Sequence, residues 1–95
     1  MNELEFKSWL NQNGYSKKMQ SDIVSRIKKL ERANNFTDID NMIKMDNGLS
    51  LLSIFKNKGI NTDMEKLDTS YLPIGKYQLS TFKYAVRLYL KFKNP

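Results

Sequence analysis

Between residues 76 and 95 the sequence KYQLSTFKYAVRLYLKFKNP leaves little choice of fold. Leu79, Phe82, Ala85, Val86, Leu88, Tyr89 and Phe92 recur with the period of an α-helix and cover one wide side of it, while Lys76, Lys83, Arg87 and Lys91, spaced seven, four and four apart, fall on the other at about 100° per residue. A helix with so broad an apolar face needs other helices to cover it. The four glycines stand singly where helices would end, and the expectation is an all-α protein.

Residues 2–12 place Leu4, Phe6, Trp9 and Leu10 within a short first helix, with Trp9 read as core. Asn13-Gly14 closes it, and Ser16 is placed to cap a second helix running to about Asn34. That helix carries Met19, Ile23, Ile27 and Leu30 inward, with Val24 at the margin. Thr37 with Asp40 resembles a capping pair for a third helix over about 38–46, with Ile39, Met42 and Ile43 inward. After Asn47-Gly48 a fourth helix, about 49–57, is expected to bury Leu49, Leu51, Leu52, Ile54 and Phe55. Gly59 ends it. Residues 60–75 show no steady period and read as a long connection, with a helical turn near Asp63–Leu67, pinned by Leu67, Tyr71, Leu72 and Ile74. With 95 residues there is material for one domain, a bundle of four to five helices.

Charge is distributed unevenly. The net balance is +4 over residues 14–35 and +5 over 76–95, against −1 over 1–13 and −2 over 36–75. On the second helix Lys17, Ser21, Ser25, Lys28, Lys29 and Arg32 project to one side, with Lys18 at the edge. On the last helix Lys76, Lys83, Arg87 and Lys91 do the same. Two basic faces on one small domain point to a polyanionic partner, with DNA the first expectation.

Other functions lose ground on residue types. With no histidine and no cysteine the commonest general base, the commonest metal ligand and every thiolate are missing, so neither enzyme activity nor a cofactor is expected. The absence of cysteine also fits a reducing, cytoplasmic setting. The run DIDNMIKMDNG lacks calcium-loop spacing, and the pairs Asp38/Asp40 and Asp63/Glu65 read as caps and solvated surface rather than magnesium ligands. The apolar runs are too short to span a membrane, and the apolar faces are needed for the core.

The pattern FKSWLNQNGYSKKMQSDIVSRIKKLERAN, an acidic middle, then LSTFKYAVRLYLKFK resembles the N-terminal core-binding domain of tyrosine recombinases and phage integrases, a SAM-like helical family. The matching features are Phe6 and Trp9, the turn Gly14-Tyr15-Ser16, Met19 through Leu30, and Ser80, Ala85, Val86, Arg87, Tyr89 and Phe92. The resemblance implies DNA binding by the second and last helices, in a protein of a phage or mobile element. Lys17, Lys18, Ser21, Ser25, Lys28, Lys29 and Arg32 would then form one contact surface, and Lys76, Ser80, Lys83, Arg87 and Lys91 the other. The arginines, Arg32 and Arg87, are the expected base readers. The family's catalytic arginines, histidine and tyrosine, which would follow residue 95, are not in this sequence. The chain is therefore expected to be an excised targeting domain or a free-standing binding module.

A second reading is a protein-binding module that sets a basic face against an acidic partner. Tyr15, Tyr71, Tyr77 and Tyr84 favour it, since tyrosine is enriched at the centres of interfaces. The oligomeric state is left open by the sequence.

Overall fold

The short polar residues between the apolar runs start most of the helices. The computed structural model describes residues 1–94, with the Tyr71 side chain outside the description, so the expected pinning by Tyr71 lies outside the described residues. Among these residues there are six α-helices and no strand: α1 (Glu3–Gln12), α2 (Lys17–Ala33), α3 (Ile39–Lys44), α4 (Leu49–Ser53), α5 (Thr62–Glu65) and α6 (Leu79–Lys93). Two 3-10 turns, Lys56–Gly59 and Thr69–Tyr71, lie between them. The all-α expectation holds, with more and shorter helices in the middle of the chain than the sequence pattern suggested.

Local chemistry accounts for the ends. The Asn2 side chain accepts from the Glu5 N–H, and the Ser16 hydroxyl accepts from the Met19 N–H at 3.2 Å. α3 is capped by Asp38, whose carboxylate accepts from the Asp40 N–H at 2.8 Å, and not by Thr37. Asp46 accepts from both the backbone and the hydroxyl of Ser50, anchoring the first turn of α4. Asn61 caps α5 and its amide also donates to the Ile54 and Lys56 carbonyls, at 2.9 and 2.8 Å. What looked like a loose connection is thus tied down at both sides, for the Asp68 N–H reaches the Ala33 carbonyl at 2.8 Å.

The core forms where α2 and α6 pack on each other, with α1 laid against both. Ile23, Val24, Ile27 and Leu30 of α2 meet Leu79, Phe82, Ala85, Val86, Leu88 and Tyr89 of α6, all buried. Phe6 is fully buried among aromatic rings, 4.9 Å edge-on from Tyr89 and 5.3 Å from Phe92, with Trp9 half-buried 6.0 Å from Phe92. Edge-to-face packing of this kind adds to the burial itself.

Two inward assignments are corrected: Leu49 is 70% exposed, and Met19 lies at the exposed edge of α2. On α1, Leu4 is exposed as well. The rest of the α2 stripe is buried as expected, but in the first turn Gln20 is buried in place of Met19. Its amide donates to the Tyr15 carbonyl at 2.8 Å and to Asn11 Oδ1 at 3.3 Å, stitching the α1–α2 turn. α4 ends at Ser53, and the right-handed backbone that continues through Phe55 is broken where Asn57 and Lys58 turn left-handed, with φ of 52° and 56°. Gly59 follows at φ +84°, and a Cβ there would sit 2.8 Å from Leu79 Cδ2. The last helix begins at Leu79, so Lys76 and Tyr77 are not on it. Gly75 at φ +72° breaks the helical path, and its N–H donates to the Lys58 carbonyl at 2.8 Å.

Candidate nucleic-acid interface

The arc of α2 opposite its buried residues carries Lys17, Lys18, Ser21, Ser25, Lys28, Lys29 and Arg32, all exposed. The two ends of this face differ electrically. Lys28 forms an ion pair with Glu3 of α1 at 2.5 Å, and Glu3 also meets Lys7 at 3.6 Å. The hydrogen bond from Lys28, with the nearby positive charge, holds the Glu3 carboxyl below its ordinary range. Arg32 lies 5.9 Å from the centre of the exposed Phe36 ring. Lys28 and Arg32 share an open hollow of about 410 Å³ with Glu3, Glu31 and Asp38, so this end of the face has mixed sign. Lys17, Lys18 and Lys29 form no ion pair among the described residues.

On α6, Ser80, Arg87 and Lys91 are exposed and Lys83 is half-buried. No acidic residue occurs on this helix. Lys93, at its end, is taken up by Asp40 at 3.4 Å, whereas Lys83 and Lys91 form no ion pair among the described residues. The Ser80 hydroxyl donates to the Tyr77 carbonyl at 3.0 Å, inside the first turn. Lys76 joins the group from the preceding turn rather than from the helix.

One contact sets the two basic elements side by side. The Tyr15 and Tyr84 hydroxyls lie 2.7 Å apart, joining the turn before α2 to the middle of α6. That hydrogen bond, with partial burial, raises the Tyr15 phenol above its ordinary range. Tyr15 also shares a hollow with Lys91. The start of α2, with Lys17 and Lys18, therefore lies beside the part of α6 that carries Arg87 and Lys91. Arg32, fifteen residues from Lys17, is about 22 Å further along the helix. The structure thus groups the first turn of α2 with α6 and sets Lys28 and Arg32 apart. Tyr77, which a helix over residues 76–95 would have carried, stands on the preceding turn, 87% exposed.

Sequence reasoning missed Lys58. It lies between α4 and α5, within the stretch 36–75 whose overall balance is −2, yet the chain folds it into an open hollow of about 250 Å³ with Lys76, Tyr77, Ser80 and Lys83. None of the residues lining that hollow is acidic. The Asn57-Lys58-Gly59 turn was the available signal, since asparagine and glycine favour the left-handed backbone that redirects Lys58.

The carboxylates do other work. Asp38 and Asp40, with Glu31, surround the Met1 ammonium at 2.5, 3.9 and 3.5 Å. Asp40 also accepts from the Tyr89 hydroxyl, and Glu31 from the Ile39 N–H at 2.8 Å. Among the described residues no group of three or more metal-ligating side chains forms a cation site, and no helix is long and apolar enough to cross a membrane. No family model, curated protein or solved structure matches the chain.

Proposed function

We propose that this chain is a DNA-binding module that holds the double helix through phosphate contacts from α2 and α6 and has no catalytic activity of its own. The observation that carries the reading is the acid-free surface of α6, with Lys83, Arg87 and Lys91, set beside Lys17 and Lys18 by the Tyr15–Tyr84 contact. Lysines supply compact charge that positions the duplex, and the Arg87 guanidinium can bond guanine in two places. The resemblance to integrase core-binding domains supports the same two helices, and a cytoplasmic setting goes with it. Titration of a short duplex at two salt concentrations tests the proposal. Affinity falls steeply as salt rises, by a slope of about −0.9 per phosphate contacted. Failure to bind at low salt, or binding indifferent to salt, overturns it.

A second reading is favoured by Tyr77, exposed beside lysines, as an anchor against an acidic protein. Recovery of one defined protein after nuclease treatment, with no duplex binding, would put that reading first.

A further inference from the structure

We propose that the hollow lined by Lys58, Lys76, Lys83 and Ser80 is a phosphate-binding site, which in the bound complex seats one phosphodiester of the DNA backbone. The natural ligand rests on the DNA-binding reading, whereas the chemistry of the site can be probed without DNA.

Three lysines reach the hollow from three segments: Lys58 from the 3-10 turn, Lys76 from the turn before α6, and Lys83 from α6 itself. Bringing like charges together is unfavourable unless something negative lies between them. Elsewhere the fold supplies that partner, as Glu3 does for Lys28 and Asp40 for Lys93. Here no acidic residue lines the hollow, and none of the three lysines forms an ion pair among the described residues. An anion is the complement of such a lining, and a phosphate is the one that the DNA-binding reading supplies.

The backbone adds a second, independent observation. Asn57 and Lys58 are consecutive non-glycine residues in the left-handed region, an arrangement that side-chain-bearing residues adopt rarely. It is held by the bond from the Gly75 N–H to the Lys58 carbonyl and by the Asn57 amide, which donates to the Ile60 carbonyl at 3.2 Å. Gly59 follows at φ +84°, where Leu79, Ile74 and Met64 leave no room for a Cβ. The same left-handed pairing occurs at Asn35-Phe36, but at Asn57-Lys58 these contacts fix the turn from which Lys58 joins the lining of the hollow. α6 begins at the edge of the hollow, so the positive end of its dipole adds to the field. Its first N–H groups are engaged in i to i+3 bonds and donate nothing further.

Inorganic pyrophosphate, titrated into the whole chain and followed by backbone amide shifts, tests the site directly. The expected shifts centre on Lys58, Gly59, Lys76 and Lys83. The variant Lys58→Asn, which tolerates the left-handed backbone, weakens pyrophosphate binding about fivefold, the loss of one partly exposed charge contact. The same variant takes about 0.9 from the salt slope for a duplex. Lys76→Gln, on an exposed turn, repeats the measurement if Lys58→Asn lowers the melting temperature. Pyrophosphate shifts scattered over Lys17, Lys18 and Arg87, with duplex binding unchanged in Lys58→Asn, overturn the site and leave the DNA reading standing. Localised shifts without duplex binding overturn the DNA reading and leave the site. A duplex that binds only when it carries 5′-phosphates overturns the assignment to backbone phosphodiesters.

Discussion

The Tyr89 hydroxyl, at the inner face of α6, donates to the Asp40 carboxylate of α3, 49 positions away in sequence. Tyr89 is otherwise fully buried against Phe6 and Phe92, so its polar tip needs that acceptor. Burial, and then the hydrogen bond to Asp40, push the phenol well above its ordinary range, and the side chain stays neutral as a donor. The contact joins the last helix to the middle of the chain.

Replacing the hydroxyl isolates that link. Tyr89→Phe keeps the ring packing and removes one hydrogen bond to a charged acceptor, for an expected loss of about 1.5–3 kcal/mol. The lower half of the range applies, because Asp40 keeps Lys93 and is itself partly exposed. The urea midpoint falls with unchanged slope. A variant as stable as the parent would show that the bond contributes nothing net.

The cluster at the amino terminus gives stability a dependence on pH at both ends. Burial alone would lower the Met1 amine, but the hydrogen bond to Asp38 and the charges of Glu31, Asp38 and Asp40 together raise it above its ordinary 8.0. A raised amine contributes stability that is complete below 8.0 and is lost as pH climbs through the folded value. Asp38 is lowered from 3.8, first by the ammonium and then by the Asp40 N–H, so its contribution is complete above 3.8 and lost as pH falls through the folded value. Stability measured by urea from pH 2 to 11 should therefore decline at both extremes, and Asp38→Asn should flatten both limbs. An unchanged profile in that variant would remove the cluster from the account.

Two glycines with the same backbone separate conformational cost from packing cost. Gly14 and Gly59 have φ of +86° and +84°, but a Cβ at Gly14 meets nothing within 4 Å whereas one at Gly59 meets Leu79 at 2.8 Å. Gly14→Ala should cost about 1–2 kcal/mol, the left-handed penalty alone. Gly59→Ala should cost about 1–3 kcal/mol more, for the shift forced on Leu79. Equal losses in thermal or urea unfolding would mean that Leu79 yields freely.

The long periodic elements were legible because their faces are wide enough to impose a direction on every residue. α1, α2 and α6 follow that pattern, as do the Ser16 cap and the burial of Trp9 against its neighbours. The middle of the chain was less legible because α3, α4 and α5 are six, five and four residues long, too short for a period to register. There, single side chains decide: Asp38 in place of Thr37 as cap, Asn61 bonding three ways, and Leu49 turned out to solvent. Gln20 was hidden for a related reason, since a polar residue on an apolar arc becomes clear only when its partners Tyr15 and Asn11 are in view. The basic residues of α2 and α6 could be counted from sequence, but their electrical surroundings could not. Glu3 lies on a different helix from Lys28, and Lys58 is brought to Lys76 by a left-handed turn.

Those surroundings predict an unequal contribution from lysines that look alike. Lys28 is already compensated by Glu3 and lies in a hollow of mixed sign, so a phosphate there must compete with a neighbouring carboxylate. Lys17 and Lys91 are exposed, form no ion pair among the described residues, and belong to the surface that Tyr15 and Tyr84 draw together. In duplex titrations Lys17→Gln and Lys91→Gln should each reduce the salt slope by about 0.9 and weaken binding at every sequence alike. Lys28→Gln should leave the slope within error, because Lys28 is held by Glu3 and is not expected to take up a phosphate. Arg87→Lys keeps the charge while losing the two-point bond, so it should preserve the slope and narrow the difference between sites with and without guanine. Equal losses at Lys28 and Lys91 would mean that the duplex covers the whole length of α2, and the interface would have to be redrawn to include Arg32.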